Sequence, residues 1–183
     1  MRKIIAAINM TIDGYCDHTA GIPDAEIHQH YTDLLKTSDT ILYGRVTYQL
    51  MEFWRPFIEK PSGEQFMDDF ASAIDGIHKI VFSRTLKSVS WPSASLAAKS
   101  LEQVVGELKE QNGTDAFVGS PGLISALTEM KLIDEYQLCV HPVIVGTGLP
   151  LFKNIKNKIQ LNLDATKVFN CGAVIHYYRR TGS

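Results

Sequence analysis

Short apolar runs of strand length alternate with helical periodicity along most of the chain. This is the pattern of an α/β sheet whose strands are joined by crossover helices. Residues 4–8 read as a buried strand, and residues 24–36, opened by Pro23-Asp24, place Ile27, Tyr31, Leu34 and Leu35 on one helical stripe. A strand over 40–43, a short helix over 46–53, a loop over 56–63, a helix over 65–74 and a strand over 79–82 follow. Ser100-Leu101-Glu102-Gln103 has capping-box spacing, and the stripe Leu101, Val104, Val105 and Leu108 then runs out near Asn112-Gly113. A strand at 116–118 and a helix over 123–131 lead to three strands, at 135–145, 159–167 and 173–179. The last two have no helix-length connection between them, so this end of the sheet is expected to be antiparallel.

A chain of 183 residues with 45% hydrophobic and 21% charged residues is long enough for one buried core and short for two, so a single domain over 1–183 is expected. A net charge of −2, with Lys and Arg dispersed, argues against a nucleic-acid or anionic-membrane partner, either of which needs a clustered basic face. Any functional basic group should then serve one small ligand. The first apolar run stops at Asn9 with no cleavage-like continuation, which favours a strand over a signal peptide, and no run approaches the roughly 20 residues of a membrane span. Cys16, Cys139 and Cys171 are odd in number and lack C-x-x-C spacing, which suits reduced thiols in a cytoplasmic protein. No metal site is expected, because His28 and His30, two apart, face different sides of a helix.

The segment Val118-Gly119-Ser120-Pro121-Gly122-Leu123 joins a strand to a helix through a glycine-flanked turn. Glycines admit close backbone approach, Ser120 suits the N-cap and Pro121 the first helical position. The exposed N–H groups of the first turn and the helix dipole then form an anion site; the other reading is a tight connection only. The same strand-then-turn logic recurs at Gly44-Arg45-Val46-Thr47 and at Ser83-Arg84-Thr85.

Three pieces of the chain, Asn9 to Tyr15, Leu42 to Tyr48, and the long segment from Phe117 to Phe152 with its L-I-D-E strand entry and P-V-I-V-G-T-G-L-P-L-F ending, resemble the dihydrofolate reductase-like fold. The likeness is nearest to the C-terminal reductase domain of bifunctional riboflavin-biosynthesis deaminase-reductases. It implies a three-layer α/β fold with a mostly parallel central sheet, flanking helices and an antiparallel C-terminal hairpin. It also implies NADPH as hydride donor, and a small conjugated substrate of the aminouracil or pteridine kind. Gly44, Arg45, Thr47, Ser83, Arg84 and Thr85 would serve the cofactor, with the two guanidinium forks suited to bind a 2′-phosphate bidentately; the other reading of each arginine is a solvent-exposed strand-end charge. Gly119, Ser120, Pro121, Gly122 and Leu123 would cover its pyrophosphate, although Pro121 removes one donor and separates glycines that are adjacent in the commonest family version. Gly146-Thr147-Gly148 is either part of this machinery or a bulge or loop of structural importance.

On the substrate side, Asn9 and Asp13 leave the first strand, and Asp13 is either a carboxylate for a polar ring edge or an Asx-turn residue satisfied locally. Folate-reducing members of the fold carry an acid on the first helix. Here that region offers Asp24, Glu26, His28 and His30, with the first two suited to the helix dipole and His28 at the right depth. A water, or a weak acid at Asp13 or His28, is therefore the candidate for supplying a proton, Tyr48 and Trp54 are candidate pocket walls or core, and dihydrofolate is disfavoured as substrate. The competing reading is an NADP(H)-binding protein of the same fold that acts as a binding module without turnover. A kinase-like phosphate reader is disfavoured, since no G-x-x-x-x-G-K-[ST] is present. A homodimer is expected, with Leu138, Val140, Val143, Val145 and Val174 either covering a partner or completing the core.

Overall fold

A computed structural model describes residues 2–181. In chain order the elements are β1 (Ile4–Thr11), α1 (Ala25–Lys36), β2 (Ser38–Gly44), α2 (Arg45–Met51), a 3-10 turn (Glu52–Trp54), α3 (Pro56–Glu59), α4 (Gln65–Gly76), β3 (His78–Phe82), β4 (Ala94–Leu96) and α5 (Leu101–Glu110). They continue as β5 (Asp115–Val118), α6 (Pro121–Glu129), β6 (Glu135–His141), β7 (Leu161–Val168) and β8 (Val174–Arg180). The strands form one sheet in the order β4-β3-β2-β5-β1-β6-β8-β7. The six from β4 to β6 are mutually parallel, and β8 runs antiparallel to both β6 and β7.

Strand alternation divides the core between the two faces of the sheet. Ile4 and Ala6 of β1, with Leu42 and Val118, pack under α5 and α6 against Val105, Leu108, Ile124 and Leu127. Ile5, with Ile41, Tyr43, Val81 and Phe117, faces Leu35 of α1 and Ile74 of α4. Farther along that second face, Ile27 of α1 meets Cys139, Phe169, Ala173 and Ile175. Fully burying an Ile or Leu of this kind contributes about 1.5–3 kcal/mol, so α1 is held chiefly by Ile27 and Leu35. Asp24 starts it as N-cap, accepting the Ile27 N–H at 2.9 Å.

The structure corrects four expectations. β6 stops at His141 rather than at 145, because Pro142 brings no N–H and the chain turns at once, with the Val143 N–H on the His141 carbonyl at 2.8 Å. The segment expected as a loop over 56–63 opens with the helical turn α3, which has Pro56 at its first position. α6 begins at Pro121, two residues earlier than the apolar stripe. β4, three residues paired with β3, has no counterpart in the hydrophobic pattern.

Because β1, β2, β3 and β5 are parallel, their carboxyl ends lie on one edge of the sheet. Asp13-Gly14, Gly44-Arg45, Ser83-Arg84 and the Gly119–Gly122 turn therefore share that edge, where ligands of open α/β sheets bind.

Candidate active site

The turn after β5 is stitched to the turn after β2. Ser120 stands at the N-cap position of α6 but does not cap it: the side chain is buried, and its Oγ accepts the Gly44 N–H at 2.8 Å. The first intrahelical bond is Ile124 N–H to Ser120 O at 2.9 Å, so the N–H groups of Gly122 and Leu123 stand free at the helix start. The two glycines differ. A Cβ on Gly119 would lie 2.9 Å from Tyr43 Cε1, so close packing with the sheet requires that glycine. A Cβ on Gly122 would meet nothing within 4 Å. Gly122 is exposed, and no neighbouring protein atom requires a glycine there.

Arg45 opens α2 with its guanidinium exposed, Nη1 donating to Gln49 Oε1 at 3.0 Å, while Thr47 of the same first turn is half-buried. Ser83 Oγ is committed to its own turn, accepting from the N–H groups of Thr85 at 3.1 Å and Leu86 at 2.9 Å. That turn leaves Arg84 exposed beside a cavity of about 330 Å³ bordered by Phe82, Lys99, Ser100 and Leu101. A larger groove of about 530 Å³ runs along α5, but its charged groups already pair as Arg2–Asp39 and Lys99–Glu107.

Asp13 is engaged by the protein itself, although not by its own turn alone. Its carboxylate accepts from Thr11 Oγ1 at 2.6 Å, Gly146 N–H at 2.7 Å and Val145 N–H at 3.2 Å. The Thr11 hydroxyl first, then these backbone donors, hold its pKa below the ordinary carboxylate value. The clamp ties the exit of β1 to the loop after β6. That loop turns through Gly146 at φ 75° and Gly148 at φ 143°, and Tyr15 pairs with Pro150 across it.

His28 faces the α4 side of α1. Its Nδ1 meets the Asp24 carbonyl at 2.9 Å, and its ring lies 5.1 Å from Phe66 and 5.9 Å from Trp54, centroid to centroid. His28 and Trp54 thus share one aromatic cluster with Phe70. Tyr48 is instead buried core: it packs on Trp91, and its hydroxyl accepts the N–H groups of Ser90 and Trp91 at 3.2 and 3.3 Å.

Two residues absent from the sequence-derived set stand at the mouth of this face. Asn9 is exposed although β1 lies inside the sheet. Its Oδ1 receives the Tyr31 hydroxyl from α1 at 3.1 Å and meets His141 Nε2 of β6 at 3.1 Å. His141 is buried, and its Nδ1 accepts the Ile22 N–H at 3.1 Å. Burial pushes its pKa below the usual histidine value. In the sequence Tyr31 belongs to an apolar stripe and His141 to a strand pattern; only the register pairing Asn9 with Cys139 and Thr11 with His141 brings them together. Among the described residues no cluster of His, Cys, Asp and Glu could hold a metal ion, and no helix is long and apolar enough to cross a membrane.

Residues 2–177 match the RibD C-terminal domain family. The chain is 32% identical over 185 residues to uncharacterized protein YyaP of Bacillus subtilis (strain 168), covering 99% of this chain and 96% of that one. Its fold is that of the dihydrofolate reductases. It superposes on dihydrofolate reductase from Enterococcus faecalis, solved with NADP(H) and RAB-propyl, with TM-score 0.66 at 14% identity over 98% of this chain and 96% of the other. It also superposes on the Thermotoga maritima diaminohydroxyphosphoribosylaminopyrimidine deaminase/5-amino-6-(5-phosphoribosylamino)uracil reductase with TM-score 0.68 at 15% identity, over 98% of this chain and 56% of that one.

Proposed function

The chain belongs to the RibD C-terminal domain family, and on that premise we propose that it is an NADPH-dependent reductase of a small conjugated substrate of the aminouracil or pteridine kind. The observation that carries this reading is the shared strand edge: the Gly44-Arg45, Ser83-Arg84 and Gly119–Gly122 turns leave the sheet on one side, two N–H groups at the positive end of α6 have no partner among the described residues, and Ser120 locks that helix start to the Arg45 turn. The residues present fit the cofactor. Gly122 and Leu123 would take the pyrophosphate, while Arg45 and Arg84, exposed at neighbouring strand ends, would take the adenosine 2′-phosphate. When bound, NADPH supplies a hydride, leaving NADP⁺, and a proton completes the reduced product.

The protein's own part is positioning. The Asp13 clamp holds the β1 exit and the loop after β6 in one arrangement, and Asn9 offers an exposed polar group beside Tyr31 of α1. Asp13, held ionised, brings no proton of its own; the reading assigns the proton to solvent entering the open cleft. The test is loss of NADPH absorbance with a panel of aminouracil, lumazine, flavin and quinone acceptors, alongside dihydrofolate. Substrate-dependent oxidation by at least one of the first four supports a reductase. Dihydrofolate turnover at about 10⁴ M⁻¹s⁻¹ or more would contradict the substrate reading. NADPH binding without turnover of any acceptor would favour a binding module.

A further inference from the structure

We infer that Asn9 determines substrate specificity as a fixed hydrogen-bond donor, so that the cleft selects a ring presenting a carbonyl oxygen over one presenting an amino group. This inference rests on the reductase reading of the same cleft.

The Ile22 N–H donates to His141 Nδ1 at 3.1 Å, so that nitrogen is the unprotonated one and the hydrogen of the neutral ring sits on Nε2. Nε2 therefore donates to the Asn9 atom 3.1 Å away, which must be the amide oxygen. A flipped amide would set an NH₂ group against the imidazole N–H. Tyr31, with its hydroxyl 3.1 Å from the same oxygen, supplies a second donor. Packing of Tyr31 against β6 raises the pKa of its phenol well above the ordinary value, so it keeps its proton. Burial disfavours the imidazolium form of His141, and Asp24, the charged neighbour that acts on it, only partly opposes this.

Asn9 is thus held from behind by two donors. Its Nδ2 group has no partner among the described residues and is carried on an exposed residue at the carboxyl end of β1. A carboxylate in this place would accept from an amino edge. The carboxamide NH₂ does the reverse and needs an acceptor, namely a lactam, imide, enone or quinone oxygen. An amino group set against it leaves two donors facing each other, both unpaired.

The probes are lumazine, whose pyrimidine ring carries two carbonyls, and pterin, in which one of those carbonyls is replaced by an amino group. Binding of each is titrated to the full chain by fluorescence with NADP⁺ present, for wild type and Asn9→Asp, and NADPH affinity is titrated separately in both proteins. Wild type is expected to bind lumazine about tenfold or more tighter than pterin, the effect of one hydrogen bond gained against one donor opposed. Asn9→Asp keeps the donors of Tyr31 and His141 satisfied and should reverse the order, with NADPH affinity unchanged within twofold. Tyr31→Phe, which frees one side of the amide, should shrink the wild-type preference without reversing it. Equal binding of the two probes by wild type, binding of neither, or an unreversed order in Asn9→Asp overturns the inference and leaves the cofactor reading standing. Failure of wild type to bind NADPH would instead overturn the reductase reading itself.

Discussion

Alanine at Gly119 and alanine at Gly122 should have opposite consequences, although the two glycines belong to one turn. At Gly119 the new Cβ lands 2.9 Å from Tyr43 Cε1 and 3.8 Å from Ile41 Cδ1. Tyr43 is 3% exposed and Ile41 5%, so neither can swing aside into solvent. Overpacking of this kind costs about 1–3 kcal/mol. In a chain of this size each kcal/mol lowers Tm by roughly 2–4 °C, so Gly119→Ala should melt measurably early. At Gly122 the methyl meets no protein atom, and alanine is the better helix former by up to about 1 kcal/mol, so Tm should hold or rise. With the pyrophosphate held on the Gly122 and Leu123 N–H groups as proposed, the added methyl crowds it, and NADPH affinity should fall about tenfold or more. Thermal melts by circular dichroism and cofactor titration by fluorescence read the two effects separately. The reasoning is refuted if Gly122→Ala binds NADPH as wild type does, or if Gly119→Ala melts unchanged.

Ser120→Ala leaves the Gly44 N–H without its acceptor on the inner side of the turn and should cost about 1–3 kcal/mol in urea unfolding, whereas an unchanged midpoint would show the stitch to be incidental. Lys79 is fully buried beneath Trp91, and burial, opposed in part by Asp75, lowers its pKa to about 8 from 10.5. Across that window the unfolded chain keeps a proton that the folded one gives up, so stability should rise with pH between about 8 and 10.5, by at most about 1.4 kcal/mol per unit from this group. Lys79→Met should remove the extra slope in urea melts at the two ends of the window; equal slopes in both proteins would count against it. A homodimer remains our proposal, now resting on the exposed edge strand β7, where Leu163 and Val168 are uncovered, because Leu138 proves to be core. Sedimentation at micromolar concentration showing only the 20.4 kDa species would refute it.

The parts of the fold that were legible beforehand are those set by local pattern. The parallel strands with Gly44, Ser83 and Gly119 at their exits, the Ser100 capping box and the antiparallel end all follow from period, caps and connection length. The misreadings share a non-local cause. β4 is only Ala94-Ser95-Leu96 and exists through pairing with β3, which no local period announces. Ser120 has an ideal N-cap identity, but its hydroxyl is drawn to Gly44, 76 residues away in sequence. The sequence places His28 by depth along α1 only; helical rotation sets it beside Phe66 and Trp54, while Tyr31 of the same helix reaches Asn9. His141 had no local signature, since its role depends on the β1–β6 register and on a loop N–H from Ile22.

The central claim, a phosphate-reading cofactor site along the carboxyl edge of the sheet, is tested most directly by equilibrium titration of NADPH and NADH against wild type, Arg45→Lys and Arg45→Ala. We expect wild type to bind NADPH at least about tenfold tighter than NADH. Arg45→Ala should lose most of that preference, and Arg45→Lys, which keeps charge but not the planar fork, should fall between them. Equal affinities for the two cofactors in wild type, or a preference untouched by Arg45→Ala, would contradict the account.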